Sequence, residues 1–432
     1  MEFWVFFGLM ISARIYGRQG QLWDDDDEEP EGIELPVNLG NHMLKKYRFK
    51  EIKKVVRYMW ERPKLRETDP WCWQLSLVQE EFNENRRHTV ISSFVKVLDE
   101  LMSGFRPQTH KNGDLPTNLS FIPRKPGPLG AEFNAICCVV TAIMVWIELQ
   151  HGREPMRAAE FATKSGVTAA CRIRGARDSK RYVGVGVGVG DDDEDDQNEV
   201  FFGDSWFSSV ESTCQLWNRF KCCYAGILKT NHSQFPKAWI EKTMKDWPAG
   251  SHIVLEGQAT REGVDLIAIG YKYNSRKSLC LICHKGAGST ECNDFYEAKW
   301  KDANSNTESR RVPRLDIMGR YFRVYNEVDM HNHARQSLLA LEKHWVTMTG
   351  YFRIITSVVG ICITDAWKAY RFHLNRQHRH KDMEMKDFAS ALAHDMLYND
   401  FDSLTSEDRV LIIDSGKGEM QSMMSSLGRG HR

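Results

Sequence analysis

The sequence predicts an α/β protein entered through a helical region, and three stretches carry that prediction. Val200-Phe201-Phe202-Gly203-Asp204 is a short apolar run ending on a carboxylate, which reads as a buried strand delivering Asp204 to a sheet edge. Phe133 to Val139 and Ile143 to Leu149, separated by Val140-Thr141-Ala142, read as two antiparallel strands of a hairpin. Val328, Leu338, Leu341 and Trp345 recur at the spacing of a packed helix that begins beside Asp329. A carboxylate at the C-terminal end of a central strand sits where α/β sheets bind ligands. Each aspartate also has a structural alternative. Asp204 is equally suited to N-cap a helix over Trp206 to Asn218, and Asp329 to compensate a helix dipole.

At 432 residues, 42% hydrophobic and with 13 Trp and 21 Phe, the chain has material for two or three domains with real cores, which excludes a disordered protein. Lys+Arg and Asp+Glu are equal at 58 each, so any nucleic-acid surface must come from local clustering. Eleven scattered cysteines form no disulfide framework and point to reduced thiols inside a cell.

Taken in order, Met1 to Ala13 is apolar, but Glu2 replaces a basic leader start and no small-residue cleavage site follows, so it reads as a buried first helix. It is too short to span a bilayer, and no membrane association is expected. Asp24 to Glu31 is a solvated acidic loop. Tyr47, Phe49, Ile52, Val55, Val56 and Met59 have helical spacing, as do Phe94, Val97, Leu98 and Leu101, so residues 1–115 are expected to form an all-helical domain. Ile122 to Pro128 is a rigid basic linker because its prolines exclude helix, and Arg124 and Lys125 in it are candidates for phosphate contact. With it begins the first part of a core, residues 116–229.

Four Val-Gly repeats (183–190) and the acidic run Asp191 to Asp196 read as a mobile, solvated loop. Tyr224 to Leu228 is a further strand, and residues 230–320 are rich enough in β-type runs to form an inserted subdomain. Cys280-x-x-Cys283-His284 within it has metal-ligand spacing, but Leu281 and Ile282 continue an apolar run, so a buried strand is expected there and zinc is not. Residues 321–375 return to the core with the Asp329 helix. The segment 376–432 is expected to be a basic, then polar, tail. Arg371, Arg376, Arg379 and Lys381, interleaved with His373, His378 and His380, form a strip that can track phosphates or simply end a solvated helix.

Four motifs in order resemble the piggyBac-type transposase family. Gly203-Asp204-Ser205-Trp206-Phe207 is similar to its Asp-Asn/Ser-Trp-Phe motif, and Asn326-Glu327-Val328-Asp329 to its Gly-Gly-Val-Asp or Asn-Ala-Val-Asp segment. Val97 to Arg106 resembles its Val-Asp-Glu-x-Met-x-x-Phe-Arg entry to the catalytic domain, and Pro123-Arg124-Lys125-Pro126 its Lys/Arg-Pro element. The resemblance spans residues 1–375 and implies an RNase H-like core with an inserted β-rich subdomain, preceded by a helical domain used for dimerisation or DNA binding. It also implies three aspartates holding two Mg²⁺ or Mn²⁺ ions for cleavage and transfer of double-stranded DNA, in a homodimer, in the nucleus. Such chemistry needs converging hard carboxylates.

Asp204 and Asp329 match the second and third positions. The first is expected at the end of the strand Ala135 to Val139, where Cys138 stands, and a soft thiol is a poor ligand for Mg²⁺. Asp99 and Glu100 match the family's entry element and are not expected in the site, and Glu148 lies too far along the hairpin. A DNA-binding transposase derivative with impaired catalysis is therefore expected. The family's terminal cysteine-rich module has no counterpart after Cys362, and the chain begins inside the family's helical region, so a segment before it is expected to be missing. The alternatives are a protein scaffold without DNA binding, or an active transposase drawing its third carboxylate from elsewhere.

Overall fold

In the computed structural model the described residues are 2–15, 23, 43–58, 73–104, 119–123, 128–150, 152–180, 198–229, 234–301, 307–344, 350–376 and 383–398. The Val-Gly repeat, the acidic runs and the Arg124-Lys125 linker lie outside them, as do Arg379 and Lys381.

Among the described residues three helices come first: α1 (Glu2–Ile15), α2 (Lys46–Tyr58) and α3 (Trp73–Thr89). As expected, α1 is buried, with Phe6, Leu9, Met10 and Ile11 fully covered. The helical domain does not extend to residue 115, because Val95–Gly104 is a strand, β1. All ten of its residues are buried. A strand covered on both faces loses the apolar/polar alternation that marks a half-exposed one, so its apolar positions also fit a helical period. Lys96 is tolerated on it through an ion pair with Glu199, Nζ to Oε1 2.9 Å.

Beyond β2 (Ser120–Phe121) comes the expected hairpin, β3 (Leu129–Cys138) and β4 (Met144–Leu149), paired antiparallel. The exposed side of β4 is closed by α3, as Asn83 both donates to Ile147 O and accepts from Ile147 N (2.9 Å each), while Gln79 Oε1 accepts from Leu149 N at 2.7 Å. Side-chain amides thus satisfy an edge that would otherwise invite pairing. Helices α4 (Arg153–Ala158), α5 (Ala162–Ser165) and α6 (Val167–Asp178) lead to β5 (Val200–Gly203), and α7 (Val210–Phe220) connects it to β6 (Cys223–Ile227). Strands β1, β5 and β6 are parallel neighbours.

After α8 (Lys237–Thr243), strands β7 (His252–Gln258), β8 (Asp265–Lys272) and β9 (Ser278–His284) do not form a separate subdomain. β9 pairs antiparallel with β6, so one nine-stranded sheet runs β2-β3-β1-β5-β6-β9-β8-β7, with β4 also on β3. Among the described residues, β10 (Asp294–Lys301) and β11 (Thr307–Arg314) form a second, two-stranded sheet. Cys280 and Cys283 are buried on opposite faces of the main sheet, one packed with Ile240 and Met244 and the other with Ile267 and Ile269. That alternation keeps their thiols apart.

Helices α9 (Asp316–Val324), α10 (Glu327–Leu338), α11 (Leu341–His344) and α12 (Gly350–Arg376) follow. The chain after 376 is not simply a tail, because α13 (Met385–Tyr398) packs on α1 and buries Ala389, Ala393 and Leu397. No helix among the described residues is long and apolar enough to cross a membrane.

Candidate functional site

Register decides which carboxylates meet. β1 and β5 are parallel with Val97 opposite Phe202 and Leu98 opposite Gly203, so the next rung sets Asp99 beside Asp204. Successive strand residues point to opposite faces. Val97, Leu101 and Phe202 pack into the cluster that contains Tyr321, Val324 and Val328, whereas Leu98, Phe201 and Tyr224 pack on the other side. Asp99 and Asp204 therefore share the face covered by α9 and α10. Burial is the first cause that pushes the Tyr321 hydroxyl far above its ordinary range, followed by Tyr224, Asp204 and Asp99, so both carboxylates act on one spot.

Asp204 is not a helix cap. The cap of α7 is Ser209, whose Oγ accepts from Ser212 N at 3.2 Å. Asp204 Oδ1 accepts from Trp206 N at 2.7 Å, its carbonyl accepts from Ser208 Oγ at 2.9 Å, and Ser208 Oγ lies 2.9 Å from Tyr224 Oη. The turn carrying the carboxylate is thus tied to β6 by a buried tyrosine. Gly203 is required for this, since a Cβ there would stand 2.3 Å from Tyr224 Oη. Asp99, 6% exposed, accepts through Oδ1 from Glu100 N at 2.8 Å.

Asp329 lies exposed in the first turn of α10, while its neighbour Val328 is fully buried. Arg335 Nη2 and Gln336 Nε2 both donate to Met102 O, at 2.9 and 3.0 Å, and so fasten α10 along β1. At the other end His331 Nε2 meets Asp365 Oδ1 (2.8 Å), which also accepts from Met144 N at 2.9 Å. Met144 pairs with Cys137, and Cys137 with Val97. The helix therefore runs alongside β1 in the same direction. Asp329 is six residues before Arg335, about 9 Å along a helix, and Asp99 three before Met102, about 10 Å along a strand. Counted from the Arg335–Met102 contact, the two lie at similar distances along their elements.

Cys138 is not brought to this place. It pairs with Lys96, three rungs from Asp99, and its side chain lies on the opposite face with Leu98 and Phe201. Its thiol sits 3.3 Å from Ser93 Oγ. The carboxylate that the register sets beside Asp204 is Asp99, a residue of the Val97 to Arg106 segment. The parallel pairing of β1 with β5 was the missing signal, and it is not visible in either segment. Glu148 is on the Cys138 face too, ion-paired with Arg174 at 2.5 Å. Among the described residues no group of three or more His, Cys, Asp or Glu is close enough to hold a metal ion.

Of the candidate DNA contacts, Arg371 lies with its guanidinium 4.9 Å from the Trp367 ring, and Arg376 ends α12. Arg124, Lys125, Arg379 and Lys381 lie outside the described residues. The β10–β11 ribbon is basic on balance, with Lys299 and Arg311 exposed on one face and Arg310 on the other, but Glu297, opposite Arg311, and Glu308 are exposed too.

A mixed sheet with one aspartate within β1 and a second just past the end of its parallel neighbour β5, with helices packed over them, defines an α/β protein with two carboxylates on one sheet face. A family model described as Transposase IS4 matches residues 1–367, and the chain belongs to that family. Its fold is similar to that in a cryo-EM structure of the piggyBac transposase synaptic complex with hairpin DNA. The TM-score is 0.63 at 15% identity, over 99% of this chain and 76% of that one. No curated protein matches the chain.

Proposed function

We propose that this chain is a DNA strand-cleavage and strand-transfer enzyme in which Asp99, Asp204 and Asp329 are the catalytic carboxylates. The observation that carries it is the adjacency of Asp99 and Asp204 on one face of two parallel strands. In this view β4-β3-β1-β5-β6 is an RNase H-like core and β9-β8-β7 is the inserted part, joined edge to edge. The expectation of an impaired enzyme rested on Cys138, and that residue plays no part once Asp99 takes the first position.

The donors fit Mg²⁺ or Mn²⁺ in kind, being hard carboxylate oxygens. Asp99 and Asp204 would hold the cation, and Asp329, on α10, would complete the set when DNA is bound. A bound divalent ion supplies activation of a water or 3′-hydroxyl and charge neutralisation at the leaving oxygen. The protein's own contribution is positioning: β1 is rigid because it is buried throughout, and the Ser208–Tyr224 contact fixes the turn at Asp204. The basic β10–β11 ribbon and the α12 end are the surfaces for duplex DNA, and action as a homodimer in the nucleus belongs to the same proposal. A scaffold without DNA binding is the competing view, and it predicts no salt-dependent affinity for duplex DNA.

The test is Mn²⁺-dependent nicking of supercoiled DNA by the full chain. Asp99→Ala, Asp204→Ala and Asp329→Ala should each lower the rate by about 10³-fold or more, the scale of losing a metal-held nucleophile. Cys138→Ala should leave it within a few-fold. Nicking that survives Asp99→Ala but not Cys138→Ala would refute the assignment.

A further inference from the structure

On the face of the sheet away from the carboxylates lies a half-open pocket of about 340 Å³, bordered by β2, β3, α4, the start of α6 and the turn that follows Asp204. Its lining includes Ser120, Glu132, Asn134, Gln150, Thr168 and Trp206. Asn134 is 1% exposed, and neither its amide oxygen nor its amide nitrogen has a hydrogen-bond partner among the described residues. Leaving both ends of a buried amide unmatched costs free energy that a ligand can recover. Trp206, at the rim, is 61% exposed although large apolar rings are normally covered. Its backbone N donates to Asp204 Oδ1 at 2.7 Å, so the turn that carries the ring also carries the site carboxylate.

The chemistry of the lining selects the ligand. Neither lysine nor arginine contributes to it, which argues against a phosphate. A buried amide offers one acceptor and two donors, Glu132 adds a carboxylate acceptor, and the indole offers a stacking face. A flat, neutral ring whose Watson–Crick edge sets an exocyclic amino group beside a ring acceptor, as in adenine and cytosine but not guanine, whose ring nitrogen there is an N–H, matches all three, and the volume suits a small molecule rather than a duplex.

We propose that this cavity receives one adenine or cytosine base turned out of a DNA strand held at Asp99 and Asp204, with Trp206 stacking on it and Asn134 and Glu132 accepting from its amino group. The proposal rests on the cleavage reading for the origin of the strand, but the pocket itself can be assayed without cleavage. Extruding a base costs stacking energy that such a pocket returns through stacking and edge hydrogen bonds.

Saturation-transfer NMR of the full chain in metal-free buffer, with deoxyadenosine, deoxycytidine and thymidine as probes, tests it. One of the two aminated nucleosides should bind about tenfold more tightly than thymidine, the discrimination expected of a good base-edge contact. Trp206→Ala, at an exposed position that folding does not need, should weaken that binding by about tenfold, as for loss of one stacked base. Thr168→Trp, which fills the cavity, should abolish it. Absence of binding by either aminated nucleoside, equal binding of all three, or binding unchanged in both variants overturns the proposal. A chain that binds nucleoside but never nicks DNA refutes the cleavage reading alone, whereas one that nicks DNA without nucleoside binding refutes the pocket alone.

Discussion

The two halves of the main sheet are built on different terms. On the side of β4, β3, β1, β5 and β6 the interior holds Lys96, Asp99, Glu100, Asn134, Glu148 and Glu199, all at most 6% exposed. On the side of β9, β8 and β7 the buried polar groups are confined to Lys272 and His284, near strand ends, and the rest of the buried core is apolar or aromatic. Burying charge costs free energy unless each group is paired. The first half therefore gives up stability to hold carboxylates in place. The second gains it by extending the sheet with Ile267, Ile269, Leu281 and Ile282.

The largest effect separating the halves should come from the buried ion pair on β1. Lys96→Met removes the ion-pair partner of Glu199 in the interior and should cost about 3–5 kcal/mol, measured by urea unfolding. The double variant Lys96→Met with Glu199→Leu should recover most of that loss. If the single variant is as stable as the parent, the polar half is less constrained than its burial implies.

Next come two glycines in strands. Gly203→Ala forces a methyl to within 2.3 Å of Tyr224 Oη and should cost about 1–3 kcal/mol, the price of overpacking. Gly257→Ala on β7 meets nothing within 4 Å and should be neutral or stabilising by about 0.5 kcal/mol. Similar losses at the two sites would erase the contrast. Tyr224→Phe removes the hydroxyl that meets Ser208 in the same turn and also Arg172, and should cost about 1 kcal/mol or more.

A smaller effect is pH-dependent and divides between the halves. His331, fully buried beside Asp365, and His284, stacked on Trp217 at 3.9 Å, both have their pKa lowered, chiefly by burial. In the unfolded chain each titrates near the ordinary value of about 6.5. As pH falls through that value the unfolded state takes up protons before the folded state does, so stability is full above it and declines below. The urea midpoint should be lower at pH 5.5 than at 7.5. His284→Asn, which retains an acceptor for Gly286 N, should remove only its own share of the decline. An unchanged decline would mean that the histidine in the β9 half is not held neutral.

Much of this was legible in the chain itself. The β3–β4 hairpin, the strand ending at Gly203 and the helix at Asp329 follow from local apolar periodicity, which depends only on neighbouring residues. The four motifs identified the family that the match over residues 1–367 bears out. Two things were left to tertiary structure. Val95–Gly104 has no alternation because both of its faces are covered, so nothing within it distinguishes strand from helix. Which carboxylate stands beside Asp204 depends on the register of two strands about a hundred residues apart, and one rung sets Asp99 there while face alternation turns Cys138 to the other side. The joining of β9 to β6 was hidden for the same reason: pairing belongs to two segments at once, while composition and spacing describe only one.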